Sequence, residues 1–243
     1  MSQNLEGKKL PEVTFKIYQD GTWVSPTTSE LFDNKTIVLF GLPGAFTPAC
    51  SISHLPRYNQ LADTFKRYGV DDVLVVSVND TFVMNAWKKA EKADKVTFIP
   101  DGNGEFSQAL GLLSPKTAIG LGDRSRRYSM LVKNGVVEKF FIEEDDHDVT
   151  VSGADAMLAY IAPNHQEQIA TLFTKTDCPY CAKAKQLLTD HHIQYDEIVI
   201  GKNATADSLK AVSGRTTVPQ VFINGKHIGG SDDLEKYLAD NTC

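Results

Sequence analysis

Four cysteines occur in the 243 residues, Cys50, Cys178, Cys181 and Cys243. Cys178-Pro179-Tyr180-Cys181 has the spacing to close a disulfide, and it stands between a strand-like run, residues 168–173, and a helical pattern over residues 178–190. Backbone N–H groups and the dipole at a helix start stabilise a thiolate. Cys178, nearest that start, is therefore the expected reactive thiol, with Cys181 one turn further in. Zinc needs four ligands. The chain has no second Cys-x-x-Cys and no spaced His pair, His191 and His192 being adjacent, so no metal site is expected. A buried structural pair would not need the strand-to-helix junction.

A lone cysteine is most often a small buried hydrophobe. The surroundings of Cys50 argue otherwise: Gly41-Leu-Pro-Gly-Ala-Phe-Thr-Pro-Ala-Cys50 is a rigid polar turn just past the apolar run Thr36–Phe40, a setting that exposes and activates a thiol. Helix-like sequence follows, interrupted by Pro56. Phe40, Phe46 and Trp87 could shape a pocket there, with core packing the safer assignment. Cys243 is expected to be a frayed, non-essential tail thiol, an intermolecular disulfide being the alternative.

The elements that must position these thiols are short. Thr36–Phe40, Val73–Val78, Val96–Ile99 and Tyr128–Val132 are β-branched runs of the kind that form strands buried on both faces. Helical spacing over Pro56–Tyr68 and Phe82–Ala93 alternates with them, which predicts an α/β sheet. Asn134-Gly135 predicts a type I′ hairpin and hence an antiparallel pair. The acidic run Glu143–Asp148 is expected to be a solvated loop rather than a docking surface. A boundary is placed at the polar, proline-containing stretch near residues 163–167, giving domains over 1–163 and 168–243 with a linker at 164–167. The second domain repeats the grammar: strand, Cys-x-x-Cys helix, strand at Tyr195–Val199, helix at Ala206–Val212, a hairpin around Asn224-Gly225 and a helix from Asp232.

Composition narrows the function. Hydrophobic residues at 42% and charged residues at 23% are ordinary for a globular chain. A net charge of -6 argues against a nucleic-acid surface, and four cysteines are too few for a stapled secreted scaffold. Met1–Lys9 is polar, and nowhere are there ~18 consecutive apolar residues, so a soluble, cytoplasmic, membrane-free setting is expected.

The motifs Cys178-Pro-Tyr-Cys181, Thr217-Val-Pro219 and Gly229-Gly-Ser-Asp-Asp233 make the segment from Gln168 to about Thr242 resemble a dithiol glutaredoxin of the thioredoxin fold. The resemblance implies a cis-proline at Pro219 facing the cysteines, with the Val218 backbone pairing a bound thiol peptide. It implies glutathione contacts at Lys175, Tyr180, Val218, Pro219, Gly230, Ser231 and Asp232, the last three at a helix start suited to a carboxylate. Arg215 is a weaker candidate, and Lys175 and Tyr180 are also readable as a surface lysine and a packing residue.

Pro43-x-x-x-Thr47-x-x-Cys50 resembles the peroxiredoxin active-site loop, and Pro-Gly-Ala-Phe-Thr-Pro-Ala-Cys most resembles the subfamily containing mammalian peroxiredoxin five. Ser77–Asp80, Phe82–Trp87, Asp101–Gly104 and Arg127-Tyr-Ser-Met130 extend the match from residue 1 to about 162. This implies a second, more elaborated thioredoxin-like domain. Cys50 would be the nucleophile that becomes a sulfenic acid, and Thr47 would accept a hydrogen bond from peroxide and donate one to sulfur. Arg127, preferred over Arg124 and Arg126, would supply a fixed planar charge, and Pro43 would shape and shield the pocket.

Residues 1–167 hold no second cysteine, so a resolving thiol is missing there. The expected activity is a glutathione-dependent reduction of hydrogen peroxide and alkyl hydroperoxides. Glutathione would condense with oxidised Cys50, Cys178 would take over the mixed disulfide, and Cys181 or a second glutathione would finish the exchange. Glutathione is thus a co-substrate and no permanently bound cofactor is expected. The short linker and the dimers common among similar peroxiredoxins suggest a homo-oligomer in which one subunit's Cys178 serves another's Cys50. The alternatives are a peroxide-sensing relay to protein partners and a general thiol-disulfide oxidoreductase.

Overall fold

The β-branched runs become the central strands of two separate sheets. In the computed structural model, which describes residues 4–165, 168–191 and 193–240, the chain divides into two compact units, Met1–His165 and Gln166–Cys243. Cys243, His192 and linker residues 166–167 lie outside the described residues.

The first unit opens with a hairpin of β1 (Ile17–Gln19) and β2 (Thr22–Val24) around Asp20-Gly21, both at positive φ. The helix α1 (Thr28–Phe32) starts on a capping box, Thr27 accepting from the Glu30 N–H while Glu30 accepts from the Thr27 N–H. Then come β3 (Thr36–Gly41), a π-helical turn (Cys50–His54), α2 (Leu55–Arg67), β4 (Asp72–Ser77), α3 (Thr81–Glu91), β5 (Thr97–Pro100) and α4 (Glu105–Ala109). A small ladder of β6 (Leu113–Pro115) and β7 (Asp123–Ser125) precedes β8 (Tyr128–Lys133), β9 (Val136–Ile142) and α5 (Ala154–Ile161). The main sheet runs β5-β4-β3-β8-β9, parallel through the first three and antiparallel at β8 and β9. Strand alternation sends Val38 and Phe40 into one core with Leu55, Tyr58 and Met157, and Ile37 and Leu39 into the other with Phe32 and Phe106.

The second unit contains β10 (Ile169–Thr174), α6 (Pro179–Asp190), β11 (Gln194–Val199), α7 (Ala206–Ser213), β12 (Gln220–Ile223), β13 (Lys226–Gly229) and α8 (Ser231–Asp240). Its sheet order, β11-β10-β12-β13, has the same sequence of parallel and antiparallel partners as β4-β3-β8-β9. Each unit is a thioredoxin-type α/β fold whose first core strand leads to a cysteine at a helix start. Both Asn-Gly turns have positive φ at each residue, as type I′ requires.

The sequence alone did not signal β1, β2, α1, α4, β6 or β7, which are three to five residues long and mostly not apolar runs. Pro56 does not interrupt the helix either. A proline ring in a regular helix meets the carbonyl four residues earlier and lacks the N–H to bond it. Here the wide turn from Cys50 to His54, closed by the Leu55 N–H on the Cys50 carbonyl, comes immediately before it.

Gly41 ends β3 opposite Tyr128, and any Cβ there would overlap the buried Tyr128 ring. Gly41→Ala is expected to lower the stability of the first unit by about 1–3 kcal/mol, read by urea unfolding, because a packed ring must move.

Candidate active site

Cys50 is free but fully buried at the start of the π-helical turn, against the exposure expected of its loop, because its side chain turns inward to pack with Phe40, Leu42 and Leu55 in the core. Extra residues in a helical turn re-aim the side chains that follow, and such turns are frequent at functional sites. Here the turn carries two of them, Cys50 and His54, into one buried cluster. Upstream, Phe46 takes φ of 62° with its ring half exposed, an unusual state for a bulky residue and a local strain in the loop. Phe40 and Trp87 are wholly buried, Phe40 stacking on Tyr58 with centroids 4.1 Å apart and Trp87 donating to Ser51 Oγ at 2.8 Å. Pro43 is buried in the same loop.

Arg127 stands one residue before β8, and its guanidinium reaches Cys50 across 77 residues of sequence. Nη1 and Nη2 each lie 3.5 Å from Sγ, so the planar fork straddles the sulfur. The side chain is only 2% exposed, where a charge acts through far less screening than in water. Nε donates to the Asp146 carbonyl at 2.9 Å, and Nη1 also donates to His54 Nδ1 at 3.1 Å. The neighbouring arginines face elsewhere. Arg124 donates to the Leu121 and Val78 carbonyls, and Arg126 to Asp146 Oδ1 and the Glu143 carbonyl.

Thr47 differs from expectation in one respect. Its hydroxyl donates to the Gly44 carbonyl at 2.8 Å, which uses its only proton. The oxygen can still accept from a peroxide, but the expected donation to Cys50 sulfur is not made.

The acidic run also departs from the solvated loop expected of it. Glu143 and Asp146 are buried, at 3% and 8% exposure, because each carboxylate has a full set of donors. Asp146 takes the Arg127 N–H at 2.9 Å, Arg126 Nε at 3.1 Å and Lys116 Nζ at 2.8 Å. Burial alone would raise its carboxyl, but these hydrogen bonds outweigh it and hold it below the usual range. Glu143 accepts from the N–H and hydroxyl of both Thr150 and Ser152, with the same net lowering against burial. Glu143 thereby fixes the segment whose Ser152 carbonyl receives His54 Nε2 at 3.1 Å and the Tyr58 hydroxyl at 2.8 Å.

In the second unit Cys178 and Cys181 are joined as a disulfide. Cys178 is the N-cap of α6, its sulfur accepting the Cys181 N–H at 3.2 Å, and it is partly exposed while Cys181 is buried. Val218-Pro219 is a cis peptide, and the Val218 carbonyl lies 4.0 Å from the Cys178 sulfur. Tyr180 is exposed on the first turn of α6, and Lys175 is exposed at the end of β10. Ser231 and Asp232 open α8, where the Gly230 N–H goes to Asp233 Oδ2 at 2.9 Å. Asp232 pairs with Lys183 at 2.9 Å, a surface contact. Arg215 is exposed and its N–H bonds Ser213 Oγ at 3.0 Å.

Residues 5–158 match the redoxin family and residues 170–228 the glutaredoxin family. The chain is 65% identical over 239 residues to a hybrid peroxiredoxin, hyPrx5, of Haemophilus influenzae, covering 97% of this chain and 99% of that one. The chain belongs to the hybrid peroxiredoxins. As a peroxiredoxin it is a peroxidase, an oxidoreductase, here with a glutaredoxin domain fused behind. It is also 52% identical over 145 residues to a peroxiredoxin of Synechocystis, covering 57% of this chain and 77% of that one. Among solved structures, reduced Prx3 of Vibrio vulnificus in complex with H2O2 superposes with a TM-score of 0.62 at 42% identity, over 65% of this chain and 99% of that one.

Sequence reasoning missed His54, Glu143, Asp146 and Ser152 in the peroxiredoxin site. A signal existed for His54, which follows Cys50 by four residues, one helical turn. The others carry none, since Asp146 meets Arg127 only through the folded loop.

Burial, and then the Arg127 charge, push His54 down to about 3, so it stays neutral across the physiological range. Between that value and 6.5 the unfolded chain binds a proton that the folded chain refuses. Stability is therefore expected to fall on acidification from pH 6.5, by up to about 1.4 kcal/mol per pH unit from this group. Urea unfolding of wild type and His54→Asn at several pH values checks it, the variant showing the shallower slope above about pH 5, before carboxylates join in.

Proposed function

We propose that this hybrid peroxiredoxin reduces hydrogen peroxide and alkyl hydroperoxides with electrons from glutathione, delivered through its own glutaredoxin domain. The observation that carries the first half is the Arg127 fork on the buried Cys50 sulfur, with both Nη atoms at 3.5 Å. Such a fixed cation stabilises a thiolate and the charge that develops on the departing oxygen. The thiolate attacks one peroxide oxygen, the S–O bond forms as the O–O bond breaks, and the leaving oxygen takes a proton to become water or an alcohol. Thr47 Oγ, its own proton given to the Gly44 carbonyl, would accept a hydrogen bond from the incoming peroxide.

The second half is supported by the cysteine inventory. Residues 1–167 contain only Cys50, so the sulfenic acid has no resolving thiol in its own domain. Glutathione condenses with Cys50 sulfenic acid, releasing water and forming a mixed disulfide. The Cys178 thiolate attacks the glutathione sulfur, freeing Cys50 as a thiol and becoming glutathionylated itself. Either Cys181 displaces that glutathione to close the disulfide, which two further glutathiones reduce, or a second glutathione removes it directly. Both routes consume two glutathiones per peroxide. The Val218 backbone beside Cys178 and the start of α8 are the elements suited to hold the peptide and its carboxylate. We place the chain in the cytoplasm, as a homo-oligomer in which subunits can exchange partners between the two domains.

Peroxide turnover with glutathione as sole reductant is expected to be abolished in Cys50→Ser and strongly reduced in Cys178→Ser. Unchanged turnover in Cys178→Ser would remove the glutaredoxin domain from the cycle. Arg127→Lys should retain the charge but lose the fork, lowering the rate of Cys50 oxidation by roughly 10²–10³, measured by single-turnover stopped flow.

A further inference from the structure

Arg127 offers only donors, so His54 Nδ1 must be an acceptor, and the Ser152 carbonyl offers only an acceptor, so His54 Nε2 must carry the proton. The two partners leave one tautomer, and it is uncharged. Its environment keeps it so: the ring is buried, stacked edge-on against Phe40 at 5.0 Å, and faces a guanidinium. The other anchor of the guanidinium is the Asp146 backbone carbonyl, equally uncharged. The nearby carboxylates are turned to other work, Asp146 to the Arg127 N–H, Arg126 and Lys116, and Glu143 to Thr150 and Ser152.

We infer that His54 is a positioning residue for Cys50 chemistry, gripping Arg127 through a neutral acceptor so that the guanidinium is fixed in plane without its charge being cancelled. An arginine held by a carboxylate shares its charge with that partner, and a buried one does so strongly. Held by an imidazole nitrogen and a carbonyl, Arg127 keeps its full charge for the sulfur and for the oxygen leaving it. The Glu143-braced Ser152 carbonyl takes part at one remove by orienting the ring and fixing its tautomer, as an outer partner does for a metal-bound histidine. This inference rests on Cys50 and Arg127 acting as proposed above.

The test uses the reduced full-length chain and three substitutions. In His54→Asn the amide oxygen replaces Nδ1 as a neutral acceptor, His54→Leu has no acceptor, and His54→Asp supplies a charged one. Iodoacetamide alkylation of Cys50, followed on its peptide by mass spectrometry across pH, reports thiolate formation without peroxide or glutathione. In His54→Leu and His54→Asp the alkylation midpoint should move up by about one pH unit, and single-turnover oxidation by hydrogen peroxide should slow roughly tenfold. His54→Asn should stay within about threefold of wild type in rate and close to it in midpoint. A His54→Leu variant that keeps its circular dichroism and matches wild type in both readings overturns the inference, as does a His54→Asn variant as impaired as His54→Leu. Should His54→Asp fail to fold, the Leu and Asn pair decides alone. Alkylation does not pass through the glutathione cycle, so failure of that cycle and failure of this inference give different results.

Discussion

Burying a guanidinium costs several kcal/mol unless its donors find acceptors, and the first unit is organised around meeting that cost at Arg127. The side chain donates to the Asp146 carbonyl, to His54 and to the Cys50 sulfur, and its backbone N–H goes to the Asp146 carboxylate. These acceptors come from two parts of the chain far from Arg127 in sequence. The π-helical turn brings Cys50 and His54, the end of the β7–β8 connection brings Arg127, and the acidic segment after β9 brings Asp146. Were any of them displaced, a buried charge would be left short of a partner. The same arrangement that holds the charge inside also aims it at sulfur.

The acidic segment shows how a charged run becomes structural. Glu143 and Asp146 are stabilised as carboxylates by hydrogen bonds that overcome burial, and they spend their charge on backbone N–H groups, hydroxyls and the two cations Arg126 and Lys116. Their neighbour Asp145 remains exposed. A local excess of negative charge thus does not define one environment for all its members. The loop wraps the site with one face and meets water with the other.

The two units use one device at different depths. In each, the first core strand ends at a cysteine near a helix start, but Cys50 is sealed beneath a strained loop while Cys178 caps α6 in partial contact with solvent. A sealed, arginine-clamped sulfur suits reaction with a small peroxide. The N-cap sulfur of the second unit is partly exposed beside the Val218 carbonyl, as the proposed exchange with a thiol as large as glutathione requires.

Much of this was legible in residue order. The β-branched runs, the two Asn-Gly hairpins and the helical spacing gave the alternating α/β plan, because strand and helix periods and turn chemistry are local properties. The short elements β1, β2, β6 and β7 were not, since strands of three residues carry too little pattern to stand out. By itself the sequence determined which residue types could do redox chemistry, that two thioredoxin-like units carry them, and that the first has no resolving cysteine. The resemblance already favoured Arg127 over Arg124 and Arg126; only the tertiary structure decided that both its Nη atoms reach the Cys50 sulfur, that Thr47 spends its proton on Gly44, and that His54, Glu143 and Asp146 belong to the site. The physical reason is that burial turns a residue's charge and donors into obligations, and partners for them are found across the fold rather than along the chain.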